Sequence, residues 1–319
     1  MRILRLFKKP KFIILTLLVL IVASIVAVNA YNTIQDKLIL DDQGILDMPD
    51  NYTQEADHGG HVETVSYTTD YNGQIITKEA NVYVPYGYDE SKKYNVFYLM
   101  HGRGGTYKSW LGVNGKREFK NVLDHMIEDK IIKPLIVVTP GLAYEYGKDD
   151  DVMNGTAMEI AKNLVPVIDN QYSTYGDRNH RCMGGFSMGG SLTWHMLKDH
   201  TNLFRYYIPM SMAYYYDRNG YSALKSQEAA TSIIESLKTS GYTSQDFKVY
   251  VATGADDFKS DAAYMQMYDL TENNKIFKYT DYSYKKGNIM FKIWPHHWHR
   301  FTQSFPYLYN ALCYFFPRY

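Results

Sequence analysis

The sequence predicts an α/β fold, a mostly parallel central sheet with helices on both faces. Three observations predict it. From residue 61 onward, short apolar runs take turns with segments of helical period, and strands alternating with helices build parallel sheets covered on both sides. Two of the runs, 95–100 and 135–139, are almost continuously apolar, as in strands buried on both faces. The chain has 319 residues, 45% hydrophobic and 21% charged, an ordinary globular mixture with room for one large domain.

Arg2, Arg5, Lys8, Lys9 and Lys11 make a cationic start, and Phe12 to Val28 then runs without a charge. No Lys or Arg follows until Lys37, so the start stays inside and the remainder is exported. Val28 and Ala30 offer small residues where a signal peptidase reads. The run is long for a cleaved leader and close to the ~17-residue lower limit of a span. Residues 1–30 are therefore a signal peptide or an N-terminal membrane anchor, and either places the domain outside the cytoplasm. Residues 31–60, with Asp41, Asp42, Asp47, Asp50, Asp57 and the pair Gly59-Gly60, read as a polar tether without a core of its own. Residues 61–319 form one domain.

Within it, His61 to Thr68 and Lys78 to Val84 alternate like strands of an antiparallel edge. Phe119, Val122, Leu123, Met126 and Ile127 share one face of a helix between the two buried runs. Met158 to Ile168 suggests another helix, which Pro166 kinks or restarts. Then follow strand 180–186, helix 189–197, strand 206–210, a helix near 222–237, strand 248–252, a helix near 261–270, strand 289–294 and a closing helix reaching Phe316.

Formal net charge is zero, so no global basic field points to nucleic acid. The 31 tyrosines suit sugar or aromatic ligands as well as packing. Cys182 and Cys313 fall in a central strand and the last helix. Disulfide geometry is strict, and we expect two buried free thiols. No paired-cysteine zinc spacing occurs.

Chemistry concentrates at Gly184-Gly185-Phe186-Ser187-Met188-Gly189-Gly190. Gly-x-Ser-x-Gly between a buried strand and a helix is the nucleophile elbow of α/β-hydrolases, where small residues allow the sharp turn that lifts the serine oxygen above the sheet. Ser187 is the candidate nucleophile, and the N–H of Met188 one oxyanion donor. Strand 95–100 runs into His101-Gly102-Arg103-Gly104-Gly105, which suits the second donor loop, with the Arg103 N–H as donor. His101 reads as structural. The acid should lie between the serine and the histidine. Strand 248–252 ends in Thr253-Gly254-Ala255-Asp256-Asp257, and spacing alone does not separate the two aspartates. His296, His297 and His299 all lie just beyond a strand. Tyr144, Tyr146 and Tyr214 to Tyr216 follow strands and are candidates to line an aromatic acyl pocket.

The domain resembles the feruloyl and acetylxylan esterases of carbohydrate esterase family 1, close to the esterase D group. The resemblance covers about Val62 to Phe316. It rests on Ala80 to Tyr88, Tyr98 to Gly105 with Trp110, Tyr172 to Arg178, Gly185 to Gly190 and Gly254 to Asp257. It implies an α/β-hydrolase fold and a Ser-His-Asp triad that needs no metal or cofactor. In that family the acid lies three residues after the strand-end glycine, which implies Asp257. The family histidine follows a Gly-Gly-type turn, whereas this chain has Pro295-His296-His297-Trp298-His299. The distance to Leu308-Tyr309-Asn310-Ala311-Leu312 in the closing helix is kept without a gap only from His299, which makes His299 the implied base. The expected activity is removal of feruloyl or acetyl groups from cell-wall polysaccharide such as xylan, outside the cell. The alternatives are a mycolyl-type acyltransferase on the same fold and an inactive carbohydrate-binding relative. The sequence sets no oligomeric state.

Overall fold

The computed structural model describes residues 10–71, 73–112, 118–143, 149–215, 223–272 and 274–318. They fall into two units, Met1–Leu46 and Asp47–Tyr319. The first is one helix, α1 (Pro10–Asp42), whose apolar side chains from Ile14 to Ile39 are exposed. Leu, Ile, Val and Ala fill it, and neither Gly nor Pro interrupts its interior. Gly44 at φ 64° closes it. The Gly44 N–H donates to Asp41 O and the Ile45 N–H to Leu40 O, the paired bonds that a glycine in the left-handed region permits.

The second unit is an eight-stranded sheet with its helices. The strands are β1 (His61–Tyr71), β2 (Gln74–Val84), β3 (Asn95–Met100), β4 (Leu135–Pro140), β5 (Arg181–Phe186), β6 (Tyr206–Met210), β7 (Lys248–Gly254) and β8 (Ile289–Trp294), in the order β1-β2-β4-β3-β5-β6-β7-β8. β1 and β2 form an antiparallel hairpin, β2 is antiparallel to β4, and all other neighbours are parallel. Every residue of β3, β4 and β5 is buried, so both faces of the sheet centre are covered. The helices are α2 (Glu118–Glu128), α3 (Asp149–Glu159), α4 (Val165–Gln171), α5 (Met188–Asp199), α6 (Ala223–Thr239), α7 (Ser260–Thr271) and α8 (Phe305–Phe315). Helix α5, buried from Met188 to Leu197, is the best-covered of these described helices. Burying each large side chain there, such as Trp194 or Leu192, contributes about 1.5–3 kcal/mol.

Two segments differ from their sequence patterns. The helical pattern around Pro166 begins earlier, at Asp149, and passes through a π-helical turn over Ile160–Leu164 before α4. The proline sits in the first turn of α4, where its missing N–H costs least, and the wider turn before it absorbs its ring. The segment read as a tether, 31–60, is no single tether. Its first part continues α1 to Asp42. Its last part, from Asp47, belongs to the second unit and packs within it. Tyr52, buried in a short 3₁₀ turn, stacks on His125 at 4.8 Å between ring centroids and donates its hydroxyl to Asp129. The Gly60 N–H donates to Asp124 Oδ1 at 2.8 Å, an oxygen that also accepts from the buried Tyr83 hydroxyl at 2.7 Å. Burial and the Asp124 charge hold the Tyr83 phenol well above its ordinary range. Cys182 and Cys313 are both free thiols, the first buried.

Candidate active site

From β3 the chain crosses to β4 on one side and later returns to β5 on the other. Such a switch point opens a crevice at the carboxyl ends of the strands. Four strands deliver residues there. His101 and Gly102 follow β3, Ser187 follows β5, Asp257 lies just beyond β7, and His299 lies beyond β8.

Ser187 stands between β5 and α5 at φ 57°, ψ −119°. A side chain held there costs on the order of 1–3 kcal/mol. The surroundings impose it. The Ser187 N–H donates to Met210 O at 3.0 Å, and Ser187 O accepts from the Ser191 N–H at 3.1 Å. The glycines permit it. A Cβ on Gly185 would stand 2.5 Å from the Gly189 backbone, and one on Gly189 would stand 2.5 Å from Met100 O. Strand, elbow and the end of β3 therefore touch backbone to backbone.

His299 Nε2 lies 2.9 Å from Ser187 Oγ. Its Nδ1 lies 2.9 and 3.0 Å from the two Asp257 oxygens. Asp257 is 2% exposed, and its Oδ1 also accepts the Lys259 N–H at 2.8 Å. A carboxylate accepts only, so the His299 proton sits on Nδ1 and Nε2 faces the serine as acceptor. The imidazole lies between the rings of Phe186 and Phe258, with centroids 4.8 and 4.4 Å away.

The neighbouring candidates go elsewhere. Asp256 faces His296 at 3.5 Å on the surface. His297 Nδ1 meets the Tyr307 hydroxyl at 3.1 Å. Burial lowers the pKa of His297, while burial and then the Asp257 charge raise that of Tyr307. The histidine loop lacks turn glycines, and the space comes from beneath it. The His297 carbonyl rests on Gly254, where a Cβ would lie 1.9 Å from that oxygen. His296 takes the turn at φ 54°.

A cleft of about 590 Å³ opens over this group, within the range of small-molecule sites. His101, Gly102, Arg103, Ser187, His299 and three aromatic rings, Phe186, Phe258 and Phe301, line it. Met188 begins α5 directly behind the serine, and a Cβ on Gly102 would lie 3.2 Å from Ser187 Cβ. The candidate donors of Arg103 and Met188 thus flank Ser187 on separate segments. The three phenylalanines were not legible as a site, although each adjoins a candidate: one precedes Ser187, one follows Asp257 and one lies two residues after His299. Tyr214 stacks on His195 at 4.1 Å and Tyr215 lies under Lys225. Neither lines the cleft. Tyr144, Tyr146 and Tyr216 lie outside the described residues.

Residues 77–309 match the profile of the family described as "Putative esterase". The chain belongs to this family. The esterase is 36% identical over 282 residues to endo-1,4-beta-xylanase Y of Acetivibrio thermocellus, covering 84% of this chain and 24% of that one. It is 32% identical over 216 residues to an endo-1,4-beta-xylanase/feruloyl esterase of Xylanibacter ruminicola, covering 61% and 29%. The chain thus spans about a quarter of the length of these curated relatives. Among solved structures, a serine-to-alanine mutant of the feruloyl esterase module from Clostridium thermocellum complexed with sinapinate superposes with TM-score 0.73. It shares 34% identity over 85% of this chain and 93% of that one. The mixed sheet with its helices is the α/β-hydrolase fold expected from the elbow motif.

Proposed function

We propose that this esterase hydrolyses hydroxycinnamoyl esters, feruloyl esters above all, on plant cell-wall polysaccharide such as xylan. The observation that carries the reading is the unbroken chain of hydrogen bonds Asp257–His299–Ser187 under a cleft with three aromatic walls. The names of its relatives supply the substrate class. Ser187 Oγ adds to the ester carbonyl while its proton passes to His299 Nε2. The Arg103 and Met188 N–H groups hold the oxyanion, and Asp257 steadies the imidazolium. The tetrahedral intermediate collapses, the sugar oxygen leaves with the His299 proton, and water repeats the sequence on the acyl-enzyme to release the acid. Neither half needs a metal or cofactor.

The test is turnover of methyl ferulate against acetylated xylan by the wild type and Ser187→Ala. The reading expects faster aromatic-ester turnover, and its loss in the variant to the background that a preserved oxyanion site gives. Acetyl release alone, or activity undiminished without the serine hydroxyl, refutes it.

The enzyme works outside the membrane, and we place helix α1 in the bilayer as a retained anchor. Phe12 to Gln35 is uncharged and helical, about 36 Å at the ~1.5 Å rise of an α-helix. That matches the ~30 Å hydrocarbon core and exceeds the ~7–15-residue apolar stretch of a cleaved leader.

A further inference from the structure

We propose that His101 is a positioning residue for the oxyanion hole, holding the Gly102–Arg103 peptide so that the Arg103 N–H is aimed at the reacting carbonyl. This rests on the serine-esterase reading above. His101 is 1% exposed, and its Nδ1 lies 2.7 Å from Gly102 O. A carbonyl only accepts, so Nδ1 carries the proton and donates. Burial lowers the pKa of the ring and so favours its neutral form. Gly102 O receives a second bond from the Gly105 N–H at 3.1 Å. Two donors therefore fix one face of a single peptide plane.

The described chain has no cis peptide. In a planar trans peptide the Arg103 N–H points opposite to the Gly102 carbonyl. Holding the oxygen from behind thus sets the direction of the donor in front. It also strengthens that donor, because a hydrogen bond to a carbonyl polarises the N–H across the same peptide. The loop is shaped to keep the imidazole in place. A Cβ on Gly105 would stand 2.7 Å from His101 Nδ1, and Gly104 turns the chain there at φ 76°. Gly102 itself abuts the nucleophile, a Cβ there lying 3.2 Å from Ser187 Cβ. His101 borders the cleft, but in this scheme it acts through the Gly102–Arg103 peptide and not on the reacting atoms.

The experiment compares His101→Phe, which keeps a ring and loses the donor, with His101→Asn, whose amide N–H replaces the Nδ1–H. Removing an oxyanion donor outright costs a factor of ~10² to 10³. Misaiming it should lower kcat about 10- to 100-fold with KM within about twofold, and Asn should restore most of that loss. Affinity for a trifluoromethyl ketone analogue, which forms an oxyanion on Ser187, should fall in step with kcat/KM, while binding of free ferulate stays unchanged. A Phe variant with wild-type kcat, or one that loses ferulate and analogue affinity equally, overturns the proposal. Nitrogen-15 NMR of the wild-type imidazole gives a check that needs no variant to fold. A proton on Nε2 overturns the assignment, and one on Nδ1 supports it. Failure of the serine-esterase reading shows separately, as ester turnover that survives Ser187→Ala.

Discussion

Gly189→Ala should damage stability and catalysis together. The new Cβ would stand 2.5 Å from Met100 O, 2.8 Å from His101 O and 2.9 Å from Met100 C. The first is about 0.9 Å short of the 3.4 Å where ordinary contact begins. Every obstructing atom is backbone, so no flexible side chain can yield. The end of β3 and the first turn of α5 must part by most of an ångström. Overpacking of this kind costs about 1–3 kcal/mol, a fall in Tm of roughly 2–12 °C for a domain of this size. The same displacement separates the Gly102–Arg103 loop from Ser187. A misplacement of about 1 Å in a reacting site costs about 10²-fold, so kcat/KM on methyl ferulate should fall by about that factor. Gly141→Ala is the control. Its Cβ would meet nothing within 4 Å and its φ is ordinary, so stability should stay within about 0.5 kcal/mol. Thermal denaturation and steady-state kinetics of both variants decide the matter. If Gly189→Ala behaves like Gly141→Ala in both, the backbone contact does not govern the elbow.

Stability should fall with acidity through His195. Burial depresses its pKa from 6.5 to about 3, so the unfolded chain binds the proton first. Its stabilising contribution is whole above pH 6.5 and shrinks toward pH 3, by about 1.4 kcal/mol per pH unit. His195→Gln should therefore lose about 2 kcal/mol less than wild type between pH 6.5 and 5. Equal pH slopes in calorimetry would count against this. Cys182 is buried and burial pushes the Cys313 thiol up to about 12. A disulfide-exchange reagent should find neither in the native protein and both after unreduced denaturation; one or none in the second titration refutes free thiols. A chain beginning at Asp47 should be soluble and fully active, because Tyr52 and Gly60 pack within the second unit. The full-length protein should stay with membranes after a carbonate wash, and a new amino terminus near Tyr31 in its Edman sequence would refute the anchor.

The sheet centre was legible because burial on both faces leaves continuous apolar runs, as in β3 and β4. The docking of residues 47–60 was not. Tyr52 is a lone apolar ring among polar neighbours, and its partners, His125 and Asp129, lie more than seventy residues away. No local period records such a contact. The π-turn before Pro166 was half legible. The proline announces a break, but its form depends on how the helix packs beside β1 and α5.

At the site, the sequence names residue types and strand ends, and the fold supplies directions. Asp256 and Asp257 are adjacent but face different ways. Asp257 turns inward to His299 while Asp256 meets His296 at the surface. The same divergence separates the three histidines within four residues. His296 spends the positive-φ position, which lets the His297 carbonyl settle on Gly254. His297 is then held on Tyr307 from the closing helix, leaving His299 over Ser187. The glycine that this turn lacks in sequence is thus replaced by one on the neighbouring strand. A missing local residue is compensated across the sheet, where spacing along the chain does not record it. Gly254 serves both partners: it ends the strand that presents Asp257, and it makes room for the loop that presents His299.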